Sequence, residues 1–304
     1  MSKTIFGPVN SRRFGKSLGV DLSPGTKQCN FDCLYCELEP AKTLASQSSV
    51  VPLKSLVSDI QEALESHKNI DVLTITANGE PTLYPYLDEL IEEINKFKGS
   101  TKTLILSNGS TIADPVVQKA LLKFDSVKLS LDCATSSCFK KLDRPESSIN
   151  LEQIKEGMLA FKKIYSGNLL IEILFVKDLN DNEQEVAKLN EFLLQLQPTR
   201  VDIGTIDRPP AYKISPVSYE KLHQLSFGFD SSLHIAIATK APTSLEKFDY
   251  TKEEILNTLA RRPLTQSDIE ALFNKNAQKH FQELLSCGKI VKQDSSGVLF
   301  YKVA

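Results

Sequence analysis

The sequence has 304 residues, of which 41% are hydrophobic and 24% are charged, and its formal net charge is −2. This balance is typical of a globular chain and excludes a disordered one, because enough apolar side chains are present to bury a core. A net charge this small argues against a protein that coats nucleic acid over its whole surface, although a local basic patch remains compatible with it. No apolar run reaches the roughly 18–20 residues that cross a bilayer, and the N-terminus lacks the apolar run of a secretion signal. We therefore expect a cytoplasmic protein without a membrane partner.

Between residues 17 and 240, short β-rich runs alternate with amphipathic helical runs. Strands are predicted at 18–23, 71–78, 102–108, 126–132, 169–176 and 200–206, with the apolar run 233–238 as a candidate extra strand. Apolar residues at helical spacing predict helices at 53–66, 86–98 and 182–196, and Asp114-Pro115 marks the start of another. Because most of the strands are continuously apolar, they indicate a parallel sheet covered on both faces. The pattern predicts an α/β fold with six βα units, either an open doubly wound sheet or a partly closed barrel.

The last part of the chain, from about residue 247, follows a different pattern. Three helical segments precede a hairpin whose turn is Asp294-Ser295-Ser296-Gly297. This order is typical of a winged-helix domain, so the sequence predicts two domains, 1–246 and 247–304. A winged helix most often presents its third helix to nucleic acid, which favours tRNA or another macromolecule as partner. Docking of a protein and closure of a lid are the alternatives. Residues 250–304 hold eight Lys/Arg against six Asp/Glu, and this excess of positive charge is too small to establish phosphate binding.

Three of the six cysteines lie within eight residues, at Cys29, Cys33 and Cys36, just after the first predicted strand. A loop with this C-x3-C-x2-C spacing can fold three thiolates around one polynuclear iron–sulfur cluster. Three ligands leave one iron of a 4Fe-4S cluster without a protein ligand, and an open metal position indicates chemistry rather than scaffolding. A structural zinc site needs a fourth ligand, and the nearest downstream histidine, His67, lies at the end of a predicted helix. Incidental thiols are the remaining alternative.

With the aromatic residue Tyr35 before the last cysteine, this motif resembles the signature of the radical S-adenosylmethionine (SAM) superfamily. The resemblance implies a 4Fe-4S cluster on Cys29, Cys33 and Cys36, with SAM bound to the open iron and Tyr35 near its adenine. It also implies reductive cleavage of SAM to a 5′-deoxyadenosyl radical that abstracts a hydrogen from the substrate. A partial (β/α)6, TIM-like barrel and an electron donor such as ferredoxin or flavodoxin follow from the same resemblance.

Polar residues at the ends of later predicted strands extend this resemblance. Asn78-Gly79-Glu80-Pro81 is similar to the superfamily's GGEP motif, with Asn in place of the first Gly, and implies contacts with the amino group of SAM. Ser107-Asn108-Gly109 is similar to its T-N-G sequence, which implies contact with the carboxylate or ribose. Ser130 and Asp132 share one face of a strand and are expected to accept hydrogen bonds from the ribose. Ile206 is assigned to the adenine from the family pattern alone, and an ordinary helix cap is the alternative for each polar strand end.

Two sequences outside these motifs are similar to the wybutosine-synthesis-like branch of the superfamily. They are residues 7–24, before the cysteines, and Leu142-Asp143-Arg144-Pro145, after the fourth predicted strand. In the wybutosine enzymes, extra N-terminal cysteines bind a second cluster. No cysteine precedes Cys29 in this sequence, so synthesis of a tricyclic base is not expected.

The candidates for catalytic or substrate-facing residues follow from position. Arg144 and the segment Ser11-Arg12-Arg13 can clamp a carboxylate or a phosphate of the substrate, with surface charge or pairing with the carboxylate of SAM as the alternatives. Lys177 follows the fifth predicted strand, and Asp207-Arg208 follows the sixth, so these residues are expected at the catalytic rim.

Cys133 directly follows Asp132, at the end of a predicted strand. It is a candidate hydrogen-atom donor or, together with Cys138, a ligand of a second cluster. Buried unreactive thiols are the alternative. Because the chain lacks an export signal, the six cysteines are expected to be thiols or ligands rather than a disulfide framework.

Two classes of function are compatible with the cysteine motif. The first is an enzyme that cleaves SAM reductively and modifies a substrate such as tRNA or another macromolecule. The second is a redox-sensing winged-helix regulator that binds DNA through its C-terminal domain. A sensor needs the cysteines but gives no role to Asn78–Pro81, Ser107-Asn108 or Ser130 and Asp132. The sequence therefore favours the enzyme.

Overall fold

The computed structural model describes residues 4–11, 13–237, 247–295 and 298–304. Its strands are β1 (Ile5–Ser11), β2 (Gly15–Asp21), β3 (Val72–Thr76), β4 (Lys102–Ser107), β5 (Ser126–Ser130), β6 (Asn168–Phe175), β7 (Arg200–Thr205), β8 (Ile235–Ile237), β9 (Leu264–Thr265), β10 (Ile290–Ser295) and β11 (Val298–Val303). Its α-helices are α1 (Leu53–Ser66), α2 (Leu87–Phe97), α3 (Pro115–Leu121), α4 (Ser136–Leu142), α5 (Leu151–Ile164), α6 (Glu183–Leu196), α7 (Tyr219–Ser226), α8 (Lys252–Arg261), α9 (Gln266–Leu272) and α10 (Lys275–Ser286). None of the helices in the described part of the chain is long and apolar enough to cross a membrane.

The strands β1 to β8 form one sheet in which spatial order follows chain order. The strands β2 to β8 are parallel to one another, and β1 pairs antiparallel with β2 at the edge. The prediction of an α/β fold dominated by a parallel sheet is confirmed. The candidate strand 233–238 corresponds to β8, and its last residue lies outside the described ranges. The sequence does not predict β1, because Gly7-Pro8 interrupts it, and an edge strand is where a proline is tolerated.

The contacts of Arg13, just before β2, show that the sheet is curved. The Nη1 atom of Arg13 lies 2.9 Å from Asp202 Oδ2 on β7 and 3.4 Å from Glu172 Oε1 on β6. In a flat sheet β2 and β7 would be five spacings apart, about 24 Å at ~4.8 Å each, which is beyond the reach of an arginine side chain. The sheet therefore bends into a trough whose parallel strands end around one shared opening.

The helices cover the outer face of this curved sheet, as their sequence periodicity predicts. The helices α1, α2 and α6 each bury an apolar stripe in the main hydrophobic core. Asp114 caps α3 by accepting a hydrogen bond from Val116 N at 2.8 Å, in agreement with the predicted start. The sequence analysis does not identify α5, whose apolar stripe is interrupted by Gly157. A Cβ atom at Gly157 would lie 2.8 Å from Ala113 N, so only glycine lets α5 pack this closely against the loop between β4 and α3.

Residues 247–295 and 298–304, here called the C-terminal segment, have a hydrophobic core of their own. The helices α8, α9 and α10 pack around buried aromatic residues that include Phe273 and Phe281. The strands β9, β10 and β11 form a separate antiparallel sheet in the order β10-β11-β9. The predicted hairpin is present as β10 and β11, and residues 296–297 of its turn lie outside the described ranges.

The C-terminal segment packs against β1 and the ends of its neighbours. The hydroxyl of Tyr250 donates a hydrogen bond to Pro8 O on β1. Arg261 Nε donates to Asp21 Oδ2 at 3.0 Å, at the last residue of β2. His67 Nε2 lies 3.4 Å from Glu254 Oε1, which connects α8 to the end of α1. The segment thus covers the β1 edge of the sheet up to the end of β2.

Asp125 joins the starts of β4 and β5, and it provides a test of this fold by pH. Its carboxylate lies 2.9 Å from Lys98 Nζ and accepts the Thr103 N–H at 2.9 Å. Burial acts to raise the pKa of Asp125, but these partners outweigh it and hold the pKa below its usual range. A depressed folded pKa contributes stability above the unfolded value of about 3.9, and this stability is lost as the pH falls through the folded value.

We expect Asp125→Asn to lower the melting temperature at pH 7 by about 2–4 °C, because it removes roughly 1 kcal/mol of charge-assisted hydrogen bonding. The difference from the unchanged protein should shrink only well below about pH 4, as the pH falls towards the depressed folded pKa and the wild-type carboxylate becomes protonated. Thermal unfolding followed by circular dichroism at pH 7 and pH 2 measures both values. Glu62→Gln, an exposed change on α1, is the matched control. A deficit of the same size at both pH values would contradict the electrostatic role.

Candidate functional site

The loop that carries the cysteines is anchored on the end of β3 by Gln28. Gln28 N donates to Asn78 O at 2.9 Å, and Glu80 N donates to Gln28 O at 3.0 Å. The side chain of Gln28 is buried, and its Oε1 accepts from Ser48 N at 2.7 Å and Ser49 N at 2.9 Å. Gln28 therefore connects the start of the cysteine loop, residues 29–36, to the end of β3 and to Ser48 and Ser49. Gln28 is not among the residues predicted from the sequence, because nothing in a single sequence marks a buried glutamine before a cysteine.

The other side of the cysteine loop docks on the segment that follows α4. Leu34 N donates to Leu142 O at 2.9 Å, and Asp32 N lies 3.2 Å from Asp143 O. Phe31 forms an isolated antiparallel β-bridge with Pro145. Residues 29–36 are therefore held between the end of β3 and the segment after α4, which leaves the three thiols in one place.

The three thiols have the surroundings that a cluster needs. Cys29, Cys33 and Cys36 are not disulfide-bonded. Burial raises the pKa of all three thiols, that of Cys29 to about 12, so a metal's positive charge is what can hold them as thiolates. Phe31 N lies 3.4 Å and Asn108 Nδ2 lies 3.8 Å from Cys29 Sγ, and N–H groups directed at sulfur are typical of iron–sulfur sites. The donor set fits a cluster with three cysteine ligands.

The turn Asn78-Gly79-Glu80-Pro81 lies directly against the cysteine loop. Gly79 has φ of +140°, and a Cβ atom there would lie 1.9 Å from Gln28 O, so only glycine permits this approach. Asn78 N donates to Asp21 Oδ1 at 2.8 Å, and Asn78 Nδ2 donates to Gly25 O at 2.6 Å. The turn is thus pre-shaped by the backbone and by Asp21, a second residue that the sequence analysis missed.

Glu80 does more for the framework than the sequence analysis predicts. It is buried, and its Oε1 accepts hydrogen bonds from Thr82 N at 2.9 Å, Thr82 Oγ1 at 2.6 Å and Ser107 Oγ at 2.7 Å. Its Oε2 accepts from Asn108 N at 2.7 Å. Burial raises the pKa of Glu80, and these donors counteract the shift. Glu80 therefore joins the ends of β3 and β4, and only Oε2 has acceptor capacity left for a ligand.

Ser107 and Asn108, at the end of β4, are also engaged within the protein. Ser107 is buried and donates to Glu80, so its hydroxyl is not directed at the opening. Asn108 Nδ2 donates to Asn30 Oδ1 at 2.8 Å, which connects β4 to the cysteine loop. Both residues hold the cysteine loop in place, and Asn108 reaches the sulfur of Cys29 as well.

A hydrogen bond between Tyr35 and Asp132 connects the cysteine loop to the end of β5. The hydroxyl of Tyr35 donates to Asp132 Oδ2 at 2.5 Å, and Leu174 N donates to Asp132 Oδ1 at 2.6 Å. Asp132 is only 3% exposed, and burial raises its pKa to about 7. Its neighbour Asp143 is also buried, and burial together with the charge of Asp132 raises the pKa of that carboxyl too. A cavity of about 10 Å³ lies beside this group and is too small for more than a water molecule.

These contacts divide the residues assigned to SAM into two groups. One group forms most of its hydrogen bonds with neighbouring strands and with the cysteine loop; its members are Glu80, Ser107, Asn108 and Asp132. Ser130 at the end of β5 and Ile206 after β7 are only partly buried, as is Asn78. The structure therefore brings the predicted strand ends together, and leaves Asn78, Gly79, Ser130 and Ile206 as the less enclosed members.

Cys133 and Cys138 form a disulfide bond, so neither sulfur is a free thiol. The expectation that all six cysteines are thiols or ligands is wrong for this pair. Glu185 on α6 adjoins the pair, and its Oε2 accepts from Ala134 N at 2.8 Å and Thr135 N at 3.2 Å. Two cysteines five residues apart that flank a helix start are close enough to pair, a geometry that sequence spacing alone does not establish.

Arg144 lies on the wall of an open groove of about 610 Å³ beside the cysteine loop. Its guanidinium is 3.3 Å from Asp32 Oδ2 and lies over the ring of Tyr212, 4.8 Å from the ring centroid. Arg144 has φ of +48°, the left-handed conformation that glycine normally adopts just after a helix. For a residue with a Cβ atom this conformation costs roughly 1–2 kcal/mol. Lys177, in contrast, is exposed beyond the end of β6.

Arg13 lies inside the trough rather than beside the cysteines. It pairs with Asp202, which is fully buried and also lies 2.8 Å from Arg200 Nε and 3.4 Å from Lys128 Nζ. Arg13 therefore compensates a buried carboxylate, which is not the role the sequence analysis predicts, and Arg12 lies outside the described residues. The charges on β5 and β7 were missed because both strands are otherwise apolar.

Comparison with known proteins agrees with this geometry. The model of the family described as Radical SAM superfamily matches residues 23–189, which include the cysteine loop and the ends of β3 to β6. The chain belongs to the radical SAM superfamily. Its cofactors are accordingly SAM and a 4Fe-4S cluster, as the cysteine loop indicates.

Relatives of known sequence extend the similarity to the whole chain. A UPF0026 protein of Helicobacter pylori strain J99 is 43% identical over 299 residues, which are 98% of this chain and 96% of that protein. An S-adenosylmethionine-dependent nucleotide dehydratase of Flammeovirga pacifica is 31% identical over 175 residues, 57% of each protein.

The fold is shared with a radical SAM methyltransferase from Sphaerobacter thermophilus. The TM-score is 0.56 at 12% identity, and the match covers 73% of this chain and 66% of that one. At this identity the comparison supports the fold alone.

The close approach of Gly79 to Gln28 provides a test of the site. We expect Gly79→Ala to abolish cluster loading, because the new Cβ would displace the backbone of Gln28 and with it the cysteine loop. Iron and sulfide content after anaerobic reconstitution, together with the visible absorption of the cluster, measure this effect. Gly25→Ala is the matched control, since a Cβ atom at Gly25 would have no heavy atom within 4 Å. Full iron content in Gly79→Ala would show that the contact does not hold the loop.

Proposed function

We propose that this radical SAM protein is an enzyme that reductively cleaves SAM at a 4Fe-4S cluster on Cys29, Cys33 and Cys36 and modifies a nucleotide, free or within RNA. The observation that carries the first part is the loop of three partly buried thiols fixed against the ends of β3, β4 and β5. Hydrogen bonds from Gln28, Asn108 and Tyr35 provide this attachment. When bound, the cluster and SAM supply reductive cleavage of the sulfonium and hydrogen abstraction from the substrate.

The residues of the chain would bind and orient SAM in distinct ways. Asn78 and Gly79 present backbone next to the cysteine loop, where the amino group of SAM would be held, and Glu80 Oε2 has capacity for one more donor. Ser130 would accept from the ribose, and Ile206 and the ring of Tyr35 would face the adenine. Pro81, Ser107, Asn108 and Asp132 would act by keeping these groups in place.

The nucleotide substrate is supported by two observations of different kinds. A relative that matches 57% of the chain is named as a nucleotide dehydratase, which indicates that this core can serve nucleotide chemistry. The C-terminal segment has the element order helix, strand, two helices and hairpin, which is the order of a winged helix. We infer that residues 247–304 form a winged-helix domain separate from 1–246 and that it favours tRNA or another nucleic acid as substrate.

An electron donor is the partner that this chemistry requires. We propose a low-potential protein of the ferredoxin or flavodoxin class, acting in the cytoplasm. The similarity to the wybutosine-synthesis-like branch stays a prediction from residues 7–24 and 142–145. A DNA-binding redox sensor is the weaker hypothesis, because it gives no role to SAM, the cofactor that the chain shares with its superfamily.

The experiment that tests the proposed function measures the products of SAM cleavage. Protein reconstituted anaerobically with iron and sulfide, then given dithionite and SAM, should release 5′-deoxyadenosine and methionine. We expect Cys33→Ala to reduce this release by at least a hundredfold, because the cluster loses one of its three ligands. Liquid chromatography with mass spectrometry quantifies both products.

The chain offers a matched control in Cys287, an exposed cysteine at the end of α10. Cys287→Ala should leave product release unchanged. Because cleavage without substrate can be slow, the assay is repeated with GTP and with bulk tRNA. Intact, cluster-loaded protein that yields no 5′-deoxyadenosine under any of these conditions would remove the basis for the enzyme.

A further inference from the structure

The groove beside the cysteine loop has the size of a ligand site. Its volume is about 610 Å³, within the range of roughly 300–1,000 Å³ that small-molecule sites occupy. One wall is Asp32, the residue before Cys33, and the opposite wall comes from the end of α4 and the segment that follows it. A molecule in this groove would therefore touch the outer side of the cysteine loop.

The charges of the groove favour an anion. Lys42, Lys140 and Arg144 line it. Its two carboxylates are already engaged: Asp32 lies 3.4 Å from Lys27 Nζ and accepts from the Tyr212 hydroxyl at 2.5 Å. The other, Glu146, accepts from Ser148 Oγ, from Ser147 Oγ at 2.8 Å and from Ser148 N at 3.0 Å. Three cations thus face two carboxylates whose acceptor positions are largely used.

Arg144 provides an independent indication that the groove serves a ligand. It occupies the left-handed position after α4, where Arg144 N donates to Phe139 O at 3.2 Å and where glycine is the favoured residue. An arginine there is strained, and strain of this kind is characteristic of functional positions. Its side chain is 41% exposed, and its guanidinium is held at the groove by stacking on Tyr212 and by Asp32. A planar guanidinium fixed in this way suits phosphate oxygens.

We propose that this groove binds a phosphate group of the substrate nucleotide, with Arg144 as its principal ligand and Lys42 and Lys140 as supporting charges. The inference rests on the proposed function, because it takes the occupant of the groove to be the substrate. A free nucleotide and a nucleotide within RNA share this chemistry, and the binding test separates them.

The first measurement is the affinity of the cluster-loaded protein for GTP and for bulk tRNA. We expect Arg144→Asn to weaken binding of the preferred probe by about tenfold, since asparagine tolerates the left-handed backbone but lacks the charge. Lys140→Gln, on an exposed side chain, should weaken it less. Lys188→Gln, an exposed change on α6, removes the same charge outside the groove and should have no effect. Isothermal titration calorimetry measures the affinity for GTP, and filter binding measures it for tRNA.

Salt dependence provides a readout that a structural role of Arg144 would not change. If tRNA is the ligand, the slope of log Kd against log salt should fall by about one in Arg144→Asn, as one phosphate contact is lost. An Arg144-dependent affinity for GTP but not tRNA would identify a free nucleotide as the source of the phosphate.

Equal affinity of the wild type, Arg144→Asn and Lys140→Gln for each probe that binds, or the failure of both GTP and tRNA to bind, would overturn the proposal. Melting temperatures of the variants within about 2 °C of the wild type exclude misfolding as the cause of weaker binding. The release of 5′-deoxyadenosine is measured on the wild type in parallel. A protein that cleaves SAM without Arg144-dependent binding would contradict only the phosphate site, whereas one that does not cleave SAM would contradict the proposed function.

Discussion

Two backbone hydrogen bonds join Gln28 to Asn78 and Glu80, and the rest of the site depends on them. The three thiols lie in a loop without helix or strand hydrogen bonds of its own, so contacts with the sheet must fix the conformation of that loop. The absence of a side chain at Gly79 makes this possible, because any Cβ atom would meet the carbonyl of Gln28. The end of β3 therefore serves two purposes at once. It anchors the cysteine loop, and it presents a backbone turn to whatever molecule binds beside the loop.

Buried carboxylates extend this anchoring to the neighbouring strands. Glu80 links β3 to β4, and Asp132 links Tyr35 of the cysteine loop to Leu174 of β6. A buried carboxylate is expensive unless several donors surround it, and here the donors are backbone N–H groups and hydroxyls at strand ends. The motif residues thus bring the strand ends to fixed positions before any ligand arrives. Positioning of this kind reduces the conformational entropy lost when a cofactor binds.

The sequence predicts the elements that depend on local pattern. The strands β2 to β7 and the helices α1, α2, α3 and α6 follow from continuous apolar runs, helical periodicity and the Asp114 cap. The three cluster cysteines follow from their spacing. The roles of Glu80 and Asp132 could not be predicted, because a motif names the residue but not its partners, which come from strands far away in the chain. Gln28, Asp21 and the Cys133–Cys138 pair depend on three-dimensional proximity in the same way.

The C-terminal segment is connected to the site by a charged contact as well as by apolar packing. Arg261 donates to one oxygen of Asp21, while the other oxygen of Asp21 holds the backbone of Asn78. A separate ion pair, between residues that both precede this segment, holds the other end of the cysteine loop: Arg208 Nη1 lies 2.8 Å from Oε1 of Glu37, the residue after Cys36.

Asp21 is only 2% exposed, so removing its arginine partner would leave a buried charge poorly compensated and would disturb the turn that begins at Asn78. A segment that served only to carry a substrate would not need this contact. The C-terminal segment is therefore part of the framework of the site, because its Arg261 shares Asp21 with the turn that begins at Asn78.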